Sequence, residues 1–237
     1  MCMGEPSICA RILSNAPFFH RMDSSIQNAS FLCICTNRRR RNGLSVASGH
    51  RTTGTKGIDM AITTGIVGAA GFAGIELIRL ALRHPDLDLR VVTSNELAGT
   101  PVVAEYPGFT GATDLAFATH DDPALDACDL VFLAVPHTAA LAMAPRLVAR
   151  GATVVDLSAD FRLKDPAVYE RWYATPHTAT DLLQRAAFGL PELFPDDLAR
   201  AAGARAAGEG VLVACAGCYP TATSMRAVAL TAIPRCA

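Results

Sequence analysis

Two short stretches carry residues in the order and spacing that chemistry needs. The first is Gly68-Ala69-Ala70-Gly71-Phe72-Ala73-Gly74, set between the apolar run Ile62 to Val67 and a helical run that reaches Arg83. A strand that enters a glycine turn and leaves as a helix presents free backbone N–H groups at a helix N-terminus, where the macrodipole favours an anion. That order predicts a pyrophosphate site with Gly68, Ala70, Gly71, Phe72, Ala73 and Gly74 as cofactor-binding residues, although the spacing is GxxGxxG and not the commoner GxGxxG. About twenty residues on, where a carboxylate would hold the ribose hydroxyls of NAD, stands Thr93-Ser94-Asn95. Hydroxyl and amide donors suit a 2′-phosphate that an acid would repel, so NADP is the expected cofactor and Ser94 its contact.

The second stretch is Ala216-Gly217-Cys218-Tyr219-Pro220-Thr221-Ala222, between the apolar run Val211 to Cys215 and a helical run toward Leu230. Pro220 suits the first turn of a helix. A cysteine at such a strand-to-helix turn has its thiolate stabilised by the N-terminal N–H groups, which makes it a nucleophile. The same residue elsewhere is most often a small buried hydrophobe. Beside a dinucleotide site Cys218 reads as catalytic. His137 follows the apolar run Leu130 to Val135, where ligands bind in open α/β sheets, and is expected to touch the cofactor.

These residues require a particular frame. Apolar runs from Ile62 to Val67, Leu87 to Ser94, Leu130 to Val135, Thr153 to Leu157 and Val211 to Cys215 alternate with helical runs from Phe72 to Arg83 and Thr138 to Arg150. Alternation of this kind predicts a doubly wound, Rossmann-like α/β fold with a parallel sheet covered by helices. Pro145 is expected to kink its helix and Gly151 to cap it. Residues 165–180 read as irregular, and 201–210 as an Ala-rich loop or helix end without chemistry.

Composition narrows the partners. The net charge of -1 gives no basic field for nucleic acid or a membrane surface, and no long uninterrupted apolar run suggests a membrane span. A small-molecule substrate is expected, and a homo-oligomer is compatible with it. Residues 1–59 hold eight Lys or Arg against three Asp or Glu, include Arg38-Arg39-Arg40-Arg41, and lack apolar periodicity. They read as a disordered leader: an organellar transit peptide, or upstream sequence ahead of a true start at Met60. The reaction is expected in the cytoplasm, or in an organelle if the leader is a transit peptide. Four of the eight cysteines lie in that leader, and neither Cys33-x-Cys35 nor Cys215-x-x-Cys218 has partners at zinc spacing, so no metal is expected.

From Gly68 onward the chain resembles the N-acetyl-gamma-glutamyl-phosphate reductase family. The stretches that carry the resemblance are the glycine turn, Phe132-Leu133-Ala134-Val135-Pro136-His137, Val155-Asp156-Leu157-Ser158-Ala159-Asp160-Phe161-Arg162, Phe188-Gly189-Leu190-Pro191-Glu192 and Gly217-Cys218-Tyr219-Pro220-Thr221-Ala222. The resemblance covers about residues 60–236 and implies an NADPH-dependent oxidoreductase of arginine biosynthesis. In it Cys218 attacks an acyl phosphate, phosphate leaves, and the thioester is reduced to the semialdehyde. It also implies substrate contacts at Ser158 and Arg162. Other acyl-phosphate semialdehyde dehydrogenases, or a nucleotide-binding module without turnover, are the alternatives. Cys215-Ala216 stands where the family usually has Asn-Pro, and no histidine follows Cys218. The expected organisation is therefore an NADP-binding domain at 60–215 and, at 216–237, the beginning of an incomplete substrate domain.

Overall fold

The structure, a computed structural model, describes residues 61–231. The leader, Met60 as a start, and Cys236 lie outside the described residues. Seven strands form one sheet: β1 (Ile62–Val67), β2 (Leu87–Thr93), β3 (Phe117–Ala118), β4 (Leu130–Leu133), β5 (Thr153–Asp156), β6 (Ala187–Gly189) and β7 (Val211–Cys215), in the order β3-β2-β1-β4-β5-β7-β6. All six strand pairs are parallel. The chain winds outward from β1 to β3, returns to β4 beside β1, and then winds the other way. That reversal between β1 and β4 is a topological switch point, where open α/β sheets bind ligands.

Val and Ile dominate the strands because both faces are buried. Ile66, Phe132, Val155 and Val213 point to one face, where α1 (Phe72–Ala81) and α6 (Pro195–Ala206) cover them with Ile78, Leu198 and Ala201. Their strand neighbours Val67, Leu133, Val154 and Leu212 point to the other, under α3 (Ala139–Ala149) and the pair α4 (Pro166–Tyr173) and α5 (Thr180–Arg185). A short α2 (Val102–Glu105) lies in the connection to β3.

The expected strands and helices are present, and β1 and β7 have the expected bounds. α1 stops two residues early at Ala81, and β2, β4 and β5 stop one or two residues early at Thr93, Leu133 and Asp156. Gly151, at φ 87°, follows the end of α3, and Pro145 lies within that helix. One expectation is corrected: residues 165–180 contain α4, started by Asp165, whose side chain accepts from Ala167 N, and by Pro166 in the first turn. The stretch 201–210 is a helix end, as expected: it holds the second half of α6, whose Pro195 and first-turn acids Asp196 and Asp197 mark its start. The last described helix, α7 (Cys218–Thr231), begins at the end of β7 and buries none of residues 218–228.

Candidate active site

All seven strands run the same way, so the turns that follow β1, β2, β4, β5 and β7 meet on one carboxyl edge. At its centre is the glycine turn. Gly68 has φ 76°, and a Cβ there would stand 2.3 Å from the Ala134 carbonyl, so the turns after β1 and β4 are in backbone contact. A Cβ on Gly74 would be 2.4 Å from Gly68 O and 2.5 Å from Ala69 Cα, which lets α1 lie against the turn. Gly71 differs: a Cβ there would have Gly68 O at 3.6 Å as its neighbour, an ordinary contact. Nothing inside the protein requires glycine at that position. Gly71 is the N-cap of α1, with no side-chain cap and no acid in the first turn. The first bond of the helix is Ile75 N to Gly71 O at 2.9 Å, so the N–H groups of Phe72, Ala73 and Gly74 precede it. Phe72 is 96% exposed, Ala73 is also exposed, and Ala70 O accepts from the Tyr106 hydroxyl.

At the end of β2 the three candidate phosphate donors separate. Thr93 is fully buried and its hydroxyl lies 2.7 Å from His120 Nδ1, which removes it from any ligand. Ser94 lies at the surface margin, 8% exposed, with Oγ accepting from Leu97 N at 3.4 Å. Asn95 is exposed and accepts from His120 N through Oδ1, which turns its amide NH2 outward. Burial depresses the His120 imidazole below its usual value, with Asp121 acting in the opposite sense.

The turn after β4 carries His137, exposed, its ring 5.7 Å from that of Tyr173. Thr138 follows in the left-handed region at φ 74° and heads α3 without a cap of its own. That cap comes from the turn after β5. Asp160, fully buried, accepts from Thr138 N at 2.7 Å through Oδ1 and from Ala140 N at 3.1 Å through Oδ2. The Tyr169 hydroxyl donates to the same Oδ1 at 2.8 Å. Asp160 is the residue that sequence reasoning missed, and nothing local could have revealed its role, because the backbone N–H groups it caps lie twenty or more residues away.

Ser158 is buried, and its hydroxyl donates to Asp156 and accepts from Asp160 N. These two bonds commit its donor and one of its acceptor lone pairs inside the fold. Asp156 also accepts from Ser158 N, and burial pushes its carboxyl up to about 6. His177 is likewise internal, with Nε2 at 2.9 Å from Asp160 O and Nδ1 accepting from Ala179 N.

Cys218 is exposed at the first turn of α7. Arg162 supports that turn from below. Its Nε donates to Cys215 O at 2.7 Å and its Nη2 to Leu157 O at 2.7 Å, tying the ends of β7 and β5 together. A Cβ on Gly217 would sit 3.1 Å from Nη1, so glycine before the cysteine leaves room for the guanidinium. Cys215 is buried, and desolvation drives its thiol well above the usual value. Cys128 is buried too, its thiol pushed up to about 11 by desolvation and by Asp129. A cavity of about 570 Å³ lined by Val148, Asp181, Arg185 and Glu209 opens on the opposite, amino edge and includes none of these residues.

Residues 63–201 match the family "Semialdehyde dehydrogenase, NAD binding domain". An N-acetyl-gamma-glutamyl-phosphate reductase of Pseudomonas savastanoi pv. phaseolicola is 46% identical over 165 residues, covering 69% of this chain and 45% of that protein. One from Neisseria meningitidis serogroup C is 45% identical over 169 residues, covering 71% and 46%. The chain thus spans about half the length of the curated relatives it matches. Aspartate semialdehyde dehydrogenase II of Vibrio cholerae superposes with a TM-score of 0.49 at 15% identity, covering 69% of this chain and 44% of that one.

Proposed function

The chain belongs to the semialdehyde dehydrogenase NAD-binding family, and from that premise we propose that it is the nucleotide-binding and nucleophile-bearing part of an NADPH-dependent reductase of N-acetyl-glutamyl 5-phosphate, acting in arginine biosynthesis. The observation that carries this reading is the placement of an uncapped, glycine-lined helix start and an exposed cysteine at a second helix start on one edge of one sheet.

The open position at Gly71 fits a pyrophosphate: it is a place where a side chain is absent without an internal reason. Phe72, Ala73 and Gly74 would donate N–H groups to it, while Ser94 and Asn95 would donate to a 2′-phosphate. Bound NADPH supplies the hydride. The sulfur of Cys218 attacks the acyl carbon, a C–S bond forms, the C–O bond to phosphate breaks, and phosphate leaves with the electron pair. After reduction the C–S bond breaks, the semialdehyde departs and the thiol is regenerated. Arg162 ties the ends of β5 and β7 together and sets Nη1 beside Gly217, a positive charge that would face the acyl phosphate there. The free Cys128, Cys215 and Cys218 suit a reducing cytoplasm.

A second reading, nucleotide binding without turnover by this polypeptide, is favoured by the two histidines nearest the site in the chain. His177 has both ring nitrogens engaged and the His137 ring lies tilted against that of Tyr173. A reduction that proceeds without a well-placed general acid or base is about 10²–10⁴-fold slower. We expect the chain to bind NADPH more tightly than NADH while forming little semialdehyde. Iodoacetamide with peptide mapping near neutral pH tests the nucleophile: Cys218 should alkylate at least about 10²-fold faster than Cys128, since the latter's thiol is both buried and raised. Equal rates would remove Cys218 from its role, and tighter binding of NADH would reverse the cofactor assignment.

A further inference from the structure

We propose that Asp160 is a positioning residue for the nicotinamide half of the cofactor, acting through the turn that carries His137. The proposal rests on the NADPH reading above and adds a residue to it. The turn 134–138 lies between β4 and the start of α3, across the switch point from the glycine turn, whose Gly68 touches Ala134 O. With Ser94 at the end of β2 on one side and Cys218 at the end of β7 on the other, a dinucleotide centred on α1 would place its adenosine toward β2 and its reactive ring toward β4 and β5, on the thiol's side. The 134–138 turn would then form the wall on the nicotinamide side.

The shape of that wall is not self-supporting. Thr138 has φ 74°, a conformation that a β-branched residue adopts only where surrounding contacts impose it. The imposing contact is the Asp160 carboxyl, which takes Thr138 N and Ala140 N on its two oxygens. Asp160 is itself fixed at three points: Tyr169 donates to Oδ1, Ser158 Oγ accepts from its N–H, and His177 Nε2 meets its carbonyl. Ser158 is in turn held by Asp156. A chain of buried bonds thus runs from the end of β5 to the exposed turn after β4, and its outer end sets where His137 points. Filling the α3 start with an internal acid also leaves the α1 start as the place where a ligand's anion is drawn.

The test is equilibrium binding of two probes, NADPH and adenosine 2′,5′-bisphosphate, to the full chain and to Asp160→Asn. The probes share the adenosine 2′-phosphate, and NADPH alone reaches the 134–138 turn. Asp160→Asn should weaken NADPH about tenfold, because the turn loses a charge-assisted pair of bonds, and leave the bisphosphate within about twofold. Tyr169→Phe, which removes one of the three donors to the Asp160 carboxyl, should give the same selective pattern at smaller size. It serves as the deciding variant if Asp160→Asn fails to show native circular dichroism. Unchanged NADPH affinity in the folded variant, or equal loss for both probes, would overturn the proposal. Failure of the unaltered chain to bind either probe would instead overturn the NADPH reading itself.

Discussion

The starts of α1 and α3 face the same edge of the sheet, each directly after a central strand, and they treat their free N–H groups in opposite ways. At α1 the cap residue is Gly71, no side chain reaches the first turn, and no acid lies in it. At α3 the equivalent groups are met by Asp160, an acid imported from the turn after β5 and fully buried. The contrast teaches that a helix N-terminus at a sheet edge becomes a receptor only when the fold withholds a cap. It also teaches that an adjacent helix can be closed by the same chemistry that a ligand would supply.

The largest effect expected on this contrast comes from removing its geometric basis. Gly74→Val introduces a Cβ within 2.5 Å of the Ala69 backbone and forces α1 off the turn. We expect a loss of stability of roughly 3 kcal/mol or more, read as a drop in the urea midpoint, together with loss of NADPH binding. Unchanged stability would mean that α1 is not held against the strand as described.

A sharper change makes α1 resemble α3. Gly71→Asp places an acid at the cap of a helix whose space at that position is open. Asp is a favourable N-cap, so stability should rise slightly, by about 0.5 kcal/mol, while NADPH binding falls by about 10²-fold or more as the acid occupies the N–H groups and repels the phosphates. Thermal melting and an NADPH titration on the same protein separate the two effects. Retained binding would show that the anion sits elsewhere.

The smallest effect concerns the base of the Asp160 support. Burial raises the Asp156 carboxyl to about 6, so the folded state holds a proton that the unfolded chain releases near pH 4. For an acid raised in this way the contribution is fully present below the unfolded value and is lost as pH rises through the folded one. Asp156 alone should therefore make the protein more stable at pH 4 than at pH 7, by about 2 kcal/mol, with the change falling between about pH 4 and pH 6. Other groups titrate in that window, so the check is the difference between the protein and Asp156→Asn. The slope assigned to Asp156 should disappear in the variant, and identical pH profiles would show that this carboxyl is not the source.

The order strand, glycine turn, helix was legible because 3.6-residue and buried-strand patterns are local, as was the strand-to-helix turn at Cys218. The missed α4 and α6 starts were legible in part, since Asp165-Pro166 and Pro195-Asp196-Asp197 are helix-start signals outweighed by polar, Ala-rich surroundings with weak apolar periodicity. By itself the sequence determined the winding of the α/β frame, the position of the glycine turn and the residue expected to act as nucleophile, each of which depends on neighbours within a few positions. Only the tertiary structure decided that Thr93, Ser158 and His177 face inward, that Arg162 spans two strand ends, and that Asp160 closes α3. The reason is that the bonds from Asp160 to Ala140 and from Arg162 to Cys215 join residues twenty to more than fifty positions apart, which meet because parallel strands bring their carboxyl ends to one edge.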